Sequence, residues 1–176
     1  MTNKKYVVVL RHGPTHSNES INYDSFVKFI ANLIVYLKNF LINKGIDIST
    51  ITPKIYSSPY SRCVNTAKFV ASHLEVLGNK KIPVQINSGV TRWDIGKETR
   101  EKSIERSFSY GDKIYKKVNL INGDELRIYI THSSIIPSLI SGIVGKKLKK
   151  IKLHTFCLSI IDINDRKLEV FNKSFK

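Results

Sequence analysis

The chain has 176 residues, 41% hydrophobic and 24% charged, which supplies the apolar material for one buried core at ordinary domain length. Its 29 Lys and Arg stand against 14 Asp and Glu, a formal charge of +15 that disfavours cationic partners and attracts phosphorylated substrates, nucleic acid or other anionic surfaces. Cys63 and Cys157 are far apart without Cys-x-x-Cys spacing, which gives no basis for a disulfide framework or a zinc site, so two free thiols are expected.

Residues 6–10, Tyr-Val-Val-Val-Leu, form a continuous β-branched run, the pattern of a strand buried on both faces. The run is too short for the core of a secretory signal and meets charge at once, so a cytoplasmic location is expected. From residue 24 to 43 the apolar positions Phe26, Phe29, Ile30, Leu33, Ile34, Leu37, Phe40 and Leu41 recur at three and four, an amphipathic helix closed by Gly45. Lys28, Asn32, Lys38 and Asn39 interrupt it, and no membrane span is expected. Residues 54–57 read as a short strand broken by Pro59, residues 61–77 as a helix stopped by Gly78, and residues 84–86 as another strand. The polar segment 96–124 reads as a small excursion with a weak helix over 98–108 and no core of its own. Strand pattern returns at 126–131, helix at 134–144 with Gly145 after it, and strands at 158–163 and 168–171.

This βα alternation predicts one domain over residues 1–176 of three-layer α/β class, a mostly parallel central sheet with helices on both faces. In such sheets ligands sit beyond the carboxyl ends of the strands. Three polar clusters fall there: Arg11-His12-Gly13 after the first strand, Ser57-Ser58-Pro59 with Arg62 after the second, and Thr131-His132-Ser133 after a later one. Guanidinium groups grip a phosphoryl group bidentately and a neutral imidazole can attack phosphorus, so two Arg and two His together suit phosphoryl transfer. Arginines flanking an imidazole also disfavour its protonated form and stabilise the transferring oxygens.

The residues around these clusters resemble the histidine phosphatase superfamily, the phosphoglycerate mutase-like group. Residues 11–18, Arg-His-Gly-Pro-Thr-His-Ser-Asn, are similar to its first motif; residues 57–67, Ser-Ser-Pro-Tyr-Ser-Arg-Cys-Val-Asn-Thr-Ala, to its second; and residues 129–134, Tyr-Ile-Thr-His-Ser-Ser, to its third. The resemblance implies a phosphoglycerate mutase-like fold and a metal-independent phosphatase without cofactor, acting on a phosphorylated small molecule or phosphoprotein. It implies His12 as the nucleophile, with Arg11, Arg62 and His132 forming the phosphate pocket and Asn18, with Thr15 and Ser133, touching substrate. A mutase-type phosphotransferase is the enzymatic alternative. The non-enzymatic one is a pseudo-phosphatase whose basic surface binds nucleic acid or another anionic partner.

The sequence departs from that pattern at the acid that protonates the leaving group. Counting back from Gly96, Arg92 stands where the family carries Glu, and Asp94 lies two residues on, either a turn former or a replacement acid. Arg92 is then expected to contact substrate. His16, His73 and His154 receive no role, and Trp93 is expected to pack. The Lys-rich run 146–152 reads as a solvated connection at a helix carboxyl end or as an anion patch.

Overall fold

The computed structural model describes residues 3–13, 23–78, 80–92, 96–148, 153–154 and 157–174, and for residues 23–25 the backbone alone. Among these, six strands form one sheet in the order β3-β2-β4-β1-β5-β6. They are β1 (Lys5–Arg11), β2 (Lys54–Ser57), β3 (Val84–Ile86), β4 (Glu125–Thr131), β5 (Cys157–Asp162) and β6 (Lys167–Ser174). β1, β2, β3 and β4 run parallel, while β5 and β6 join antiparallel on the far side of β1.

β1 is the centre of the sheet, and every residue from Lys5 to Leu10 is buried. Alternation sends Tyr6, Val8 and Leu10 into one core and Val7 and Val9 into another. The first core is covered by α1 (Tyr23–Asn43) and α2 (Ser61–Gly78), the second by α3 (Arg100–Asn119) and α4 (Ile136–Val144). Helices on both faces of a mostly parallel sheet give the expected three layers.

By length and composition alone the stretch Phe26–Asn43 would be apolar enough to cross a membrane, with a mean hydropathy of 1.3, but a core helix meets the same measure. Its apolar stripe, Phe26, Phe29, Ile30, Leu33, Ile34, Leu37 and Leu41, is spent on the sheet instead. The helix stops as Gly45 enters the left-handed region at φ +70°. There the Gly45 N–H bonds the Ile42 carbonyl and the Ile46 N–H the Leu41 carbonyl.

The segment 96–124 differs from its reading as a polar excursion. It holds a 20-residue helix, α3, that packs along α4. The buried face of α3 is Ser103, Ser107, Gly111, Ile114 and Val118, three of the five small or polar, so a hydrophobic period does not register it. A Cβ on Gly111 would strike the Leu139 carbonyl, and one on Gly142 the Phe108 carbonyl, so these two glycines set how closely the helices approach.

Candidate active site

Strand register assembles the site. Arg11 pairs with Thr131 across β1 and β4, and Ser57 pairs with Ile130 across β2 and β4, so the three strands end side by side. The next residues continue the ladder, His12 N–H to Thr131 O at 2.9 Å and Ser58 N–H to Ile130 O at 3.1 Å. His12, Ser58 and His132 therefore leave the sheet at one edge. Gly13 follows His12 because its backbone lies against the Phe26 ring, where a Cβ would collide. Its N–H donates to Thr66 Oγ1 at 2.9 Å, and that hydroxyl donates to the Arg62 carbonyl at 2.7 Å, joining the first turn of α2 to the loop after β1.

The His12 and His132 rings meet with centroids 5.0 Å apart. His12 Nδ1 lies 2.5 Å from the Gly13 carbonyl, and a carbonyl only accepts, so Nδ1 carries the ring proton and Nε2 keeps its lone pair. Burial pulls the His12 pKa down to about 4, the Gly13 carbonyl acts against this, and Arg62 and Arg11 add to the depression. His132 is pushed down to about 3 by burial first, then by His12, Arg62, Arg92 and Arg11. Arg62 Nη2 lies 3.3 Å from His132 Nδ1 and can only donate. The proton of neutral His132 is then on Nε2, donating to Ser58 Oγ at 3.0 Å, with Cys63 Sγ also 3.3 Å away.

Cations surround this pair. Arg62 enters from α2, whose N-terminal end faces the site with the positive end of its dipole. Arg11 reaches the His154 carbonyl through Nη1 at 2.9 Å. Arg92 lies over Tyr60, its guanidinium carbon 4.8 Å from the ring centre, and Tyr60 sits edge-on to His132 at 5.2 Å. The Nε atoms of Arg11, Arg62 and Arg92 are all buried without a hydrogen-bond partner. Buried charged donors left unmatched cost more than a neutral hydrogen bond is worth, and an oxyanion is the acceptor that suits several guanidinium groups at once.

The structure thus brings His12, His132, Arg62 and Arg11 to one edge and sets Arg92 behind Tyr60. Ser133 is exposed and lines a groove between α3 and α4. Thr15, Asn18 and Asp94 lie outside the described residues, as do His16 and Trp93. A cavity of about 490 Å³ opens beside Tyr60 and Arg92, and Glu98 lines it. Glu98 was assigned from sequence to a helix. Thr99 in fact caps α3, accepting from the Lys102 N–H, so Glu98 stands outside the helix and its carboxylate turns into the cavity. A Thr immediately before the helical stretch was the available signal. Arg106 holds both Glu98 oxygens, at 2.6 and 3.1 Å.

No family model matches the chain. Over 62 residues, 34% of this chain, it is 37% identical to the human ubiquitin-associated and SH3 domain-containing protein A, and the matched stretch is 8% of that protein's length. Solved structures align along almost the whole chain. Phosphoserine phosphatase from Entamoeba histolytica, solved with phosphoserine, has a TM-score of 0.64 at 14% identity, covering 96% of this chain and 97% of that one. Phosphoglycerate mutase from Plasmodium falciparum has 0.58 at 16%, covering 99% and 95%. Ecdysone phosphate phosphatase from Bombix mori, solved with tungstate, has 0.59 at 13%, covering 96% and 92%. The chain accordingly has the phosphoglycerate mutase-like fold, and the structures that share it are phosphatases and mutases of the histidine phosphatase superfamily.

Proposed function

We propose that this protein is a histidine phosphatase that hydrolyses phosphate monoesters through a phosphohistidine on His12. The observation that carries the reading is the His12 ring, fixed with its proton on Nδ1 and its Nε2 free, beside Arg62 and Arg11, whose buried Nε donors are unmatched. Attack by Nε2 forms the N–P bond as the P–O bond to the alcohol breaks, and the alcohol oxygen takes a proton. Water then attacks phosphorus, the N–P bond breaks, and inorganic phosphate and neutral His12 result. Arg62 and Arg11 hold the phosphoryl oxygens while charge builds on them, and His132, its proton engaged by Ser58 and its Nδ1 by Arg62, packs against the His12 ring and orients Arg62. The 490 Å³ cavity beside Tyr60 and Arg92 receives the alcohol portion. Thr15 and Asn18 are proposed to contact the substrate, and Asp94 to supply the proton to the leaving oxygen.

The depressed His12 pKa supports this reading, because the imidazole is neutral at physiological pH without a general base. The substrate class follows the charge, a small phosphate ester or a phosphoprotein. The test is acid-quenched labelling with a phosphate-labelled ester in the presence of a chelator. Acid-labile label on His12, with turnover abolished in His12→Ala, is expected. Acid-stable phosphoserine, or turnover undiminished in His12→Ala, overturns the assignment.

A further inference from the structure

On the α3/α4 face, turned away from α1 and α2, lies a second concavity of about 720 Å³, within the size range of small-molecule sites. Its apolar surface comes from Ile104 and Phe108 on α3, Pro137 on α4 and Leu148 beyond it. Ile104 and Phe108 are 44% and 39% exposed, although the neighbouring buried positions of α3 are Ser103, Ser107 and Gly111. Two of the hydroxyls lining it, those of Ser138 and Ser141, are internally satisfied. Ser138 donates to the Ile135 carbonyl and Ser141 to the Pro137 carbonyl, and Ser141 also accepts the Leu148 N–H. With these hydroxyls satisfied in this way, the α4 side of the groove around Pro137 behaves as apolar.

The rim has the opposite character. Arg100 opens α3, and Lys146 and Lys147 follow Gly145, which ends α4 in the left-handed region at φ 73°. None of these three cations has an ion pair among the described residues, and Glu105 is the one carboxylate among the lining residues. We propose that the α3/α4 groove is a binding site for a small amphipathic anion, an apolar body on Ile104 and Phe108 with its acidic head at Arg100, Lys146 and Lys147. The groove shares no lining residue with the cavity beside Tyr60 and Arg92, and the proposal does not depend on the phosphatase reading. Charge argues against a second copy as the occupant, because another chain of +15 would bring like charge to a cationic rim.

Titration with the fluorescent anion 1-anilinonaphthalene-8-sulfonate reads the site directly. One molecule should bind per chain, displaced by decanoate but not by decanol or by inorganic phosphate. Phe108→Glu should weaken binding by at least about tenfold, since it removes an apolar contact and adds like charge. The Lys146→Ala, Lys147→Ala pair should weaken it about two- to fivefold, and less in high salt. Both changes are on the surface and should leave the melting temperature unaltered; Ile104→Glu serves as a second apolar variant. Binding that survives Phe108→Glu and Ile104→Glu, or decanol displacing as well as decanoate, overturns the proposal. So does loss of binding on adding phosphate. A dimer in sedimentation that Phe108→Glu dissociates would assign the groove to a second copy and overturn it equally.

Discussion

At His12 and His132 the fold works against the charged imidazole. Both pKa values fall below the ordinary 6.5, to about 4 and about 3, so between these values and 6.5 the unfolded chain binds protons that the folded chain does not. Stability is therefore full above 6.5 and is lost as pH falls through this window, by about 3 kcal/mol for His12 alone. Urea unfolding at a series of pH values should show this slope, and His12→Asn should reduce it, leaving the share due to His132. In NMR titration both rings should keep neutral shifts at pH 5, and a ring that titrates near 6.5 would place it outside the pocket described. Arg62→Ala should weaken inhibition by inorganic phosphate and turnover together by about ten- to hundredfold, the loss of one charged hydrogen bond, with only partial rescue by Arg62→Lys. The leaving-group side is open to a sharper comparison. An alkoxide needs a proton donor, help worth roughly 10²- to 10⁴-fold, and a phenolate needs it far less. With Arg92 over Tyr60, Arg92→Glu should improve alkyl phosphates selectively, whereas Asp94→Asn should lose them first. Equal aryl-to-alkyl ratios in wild type and both variants would mean that neither residue reaches the leaving oxygen. Glu98→Gln belongs in the same series, since Glu98 lines the same cavity.

Elements whose burial is apolar were legible in the chain, and those whose burial is small or polar were not. The β-branched run of β1 and the three-and-four spacing of α1 announce themselves, and β2 and β3 fall at the expected residues. The four residues that meet at the sheet edge, Arg11, His12, Arg62 and His132, were legible for a related reason, because polar groups at the ends of apolar strands stand out. α3 hid because its inner face is built from Ser103, Ser107 and Gly111, which carry no hydrophobic period, and Glu98 hid with it. That same closeness predicts fragility. Gly111→Ala and Gly142→Ala each push a methyl into a facing carbonyl and should destabilise by about 1 to 3 kcal/mol, read as a lower urea midpoint. Thr99→Ala, which removes the α3 cap, should cost about 1 kcal/mol. If Gly142→Ala unfolds at the wild-type midpoint, the two helices are not in backbone contact.

For the whole molecule the formal charge of +15 should draw the protein weakly to nucleic acid, with affinity falling steeply in salt and no preference for sequence. Gel shifts on unrelated duplexes at two salt concentrations check this, and selective binding that persists at high salt would refute it. The position of β1 has a consequence for assembly in time. Its two neighbours, β4 and β5, begin at Glu125 and Cys157, so the strand made earliest among the six is paired only by segments made more than a hundred residues later. Until they arrive, the run Tyr6 to Leu10 has no partner on either edge and no helix on its second face, a state open to edge-to-edge association. Closing such long loops before any contact rewards them makes folding slow. His12 inherits the delay, because its backbone bond to Thr131 and its company with His132 exist only once β4 has docked. A ribosome releasing this chain therefore carries an inert polypeptide for most of its synthesis, and phosphate binding should appear in one late step, after β4 and β5 emerge, instead of growing with chain length.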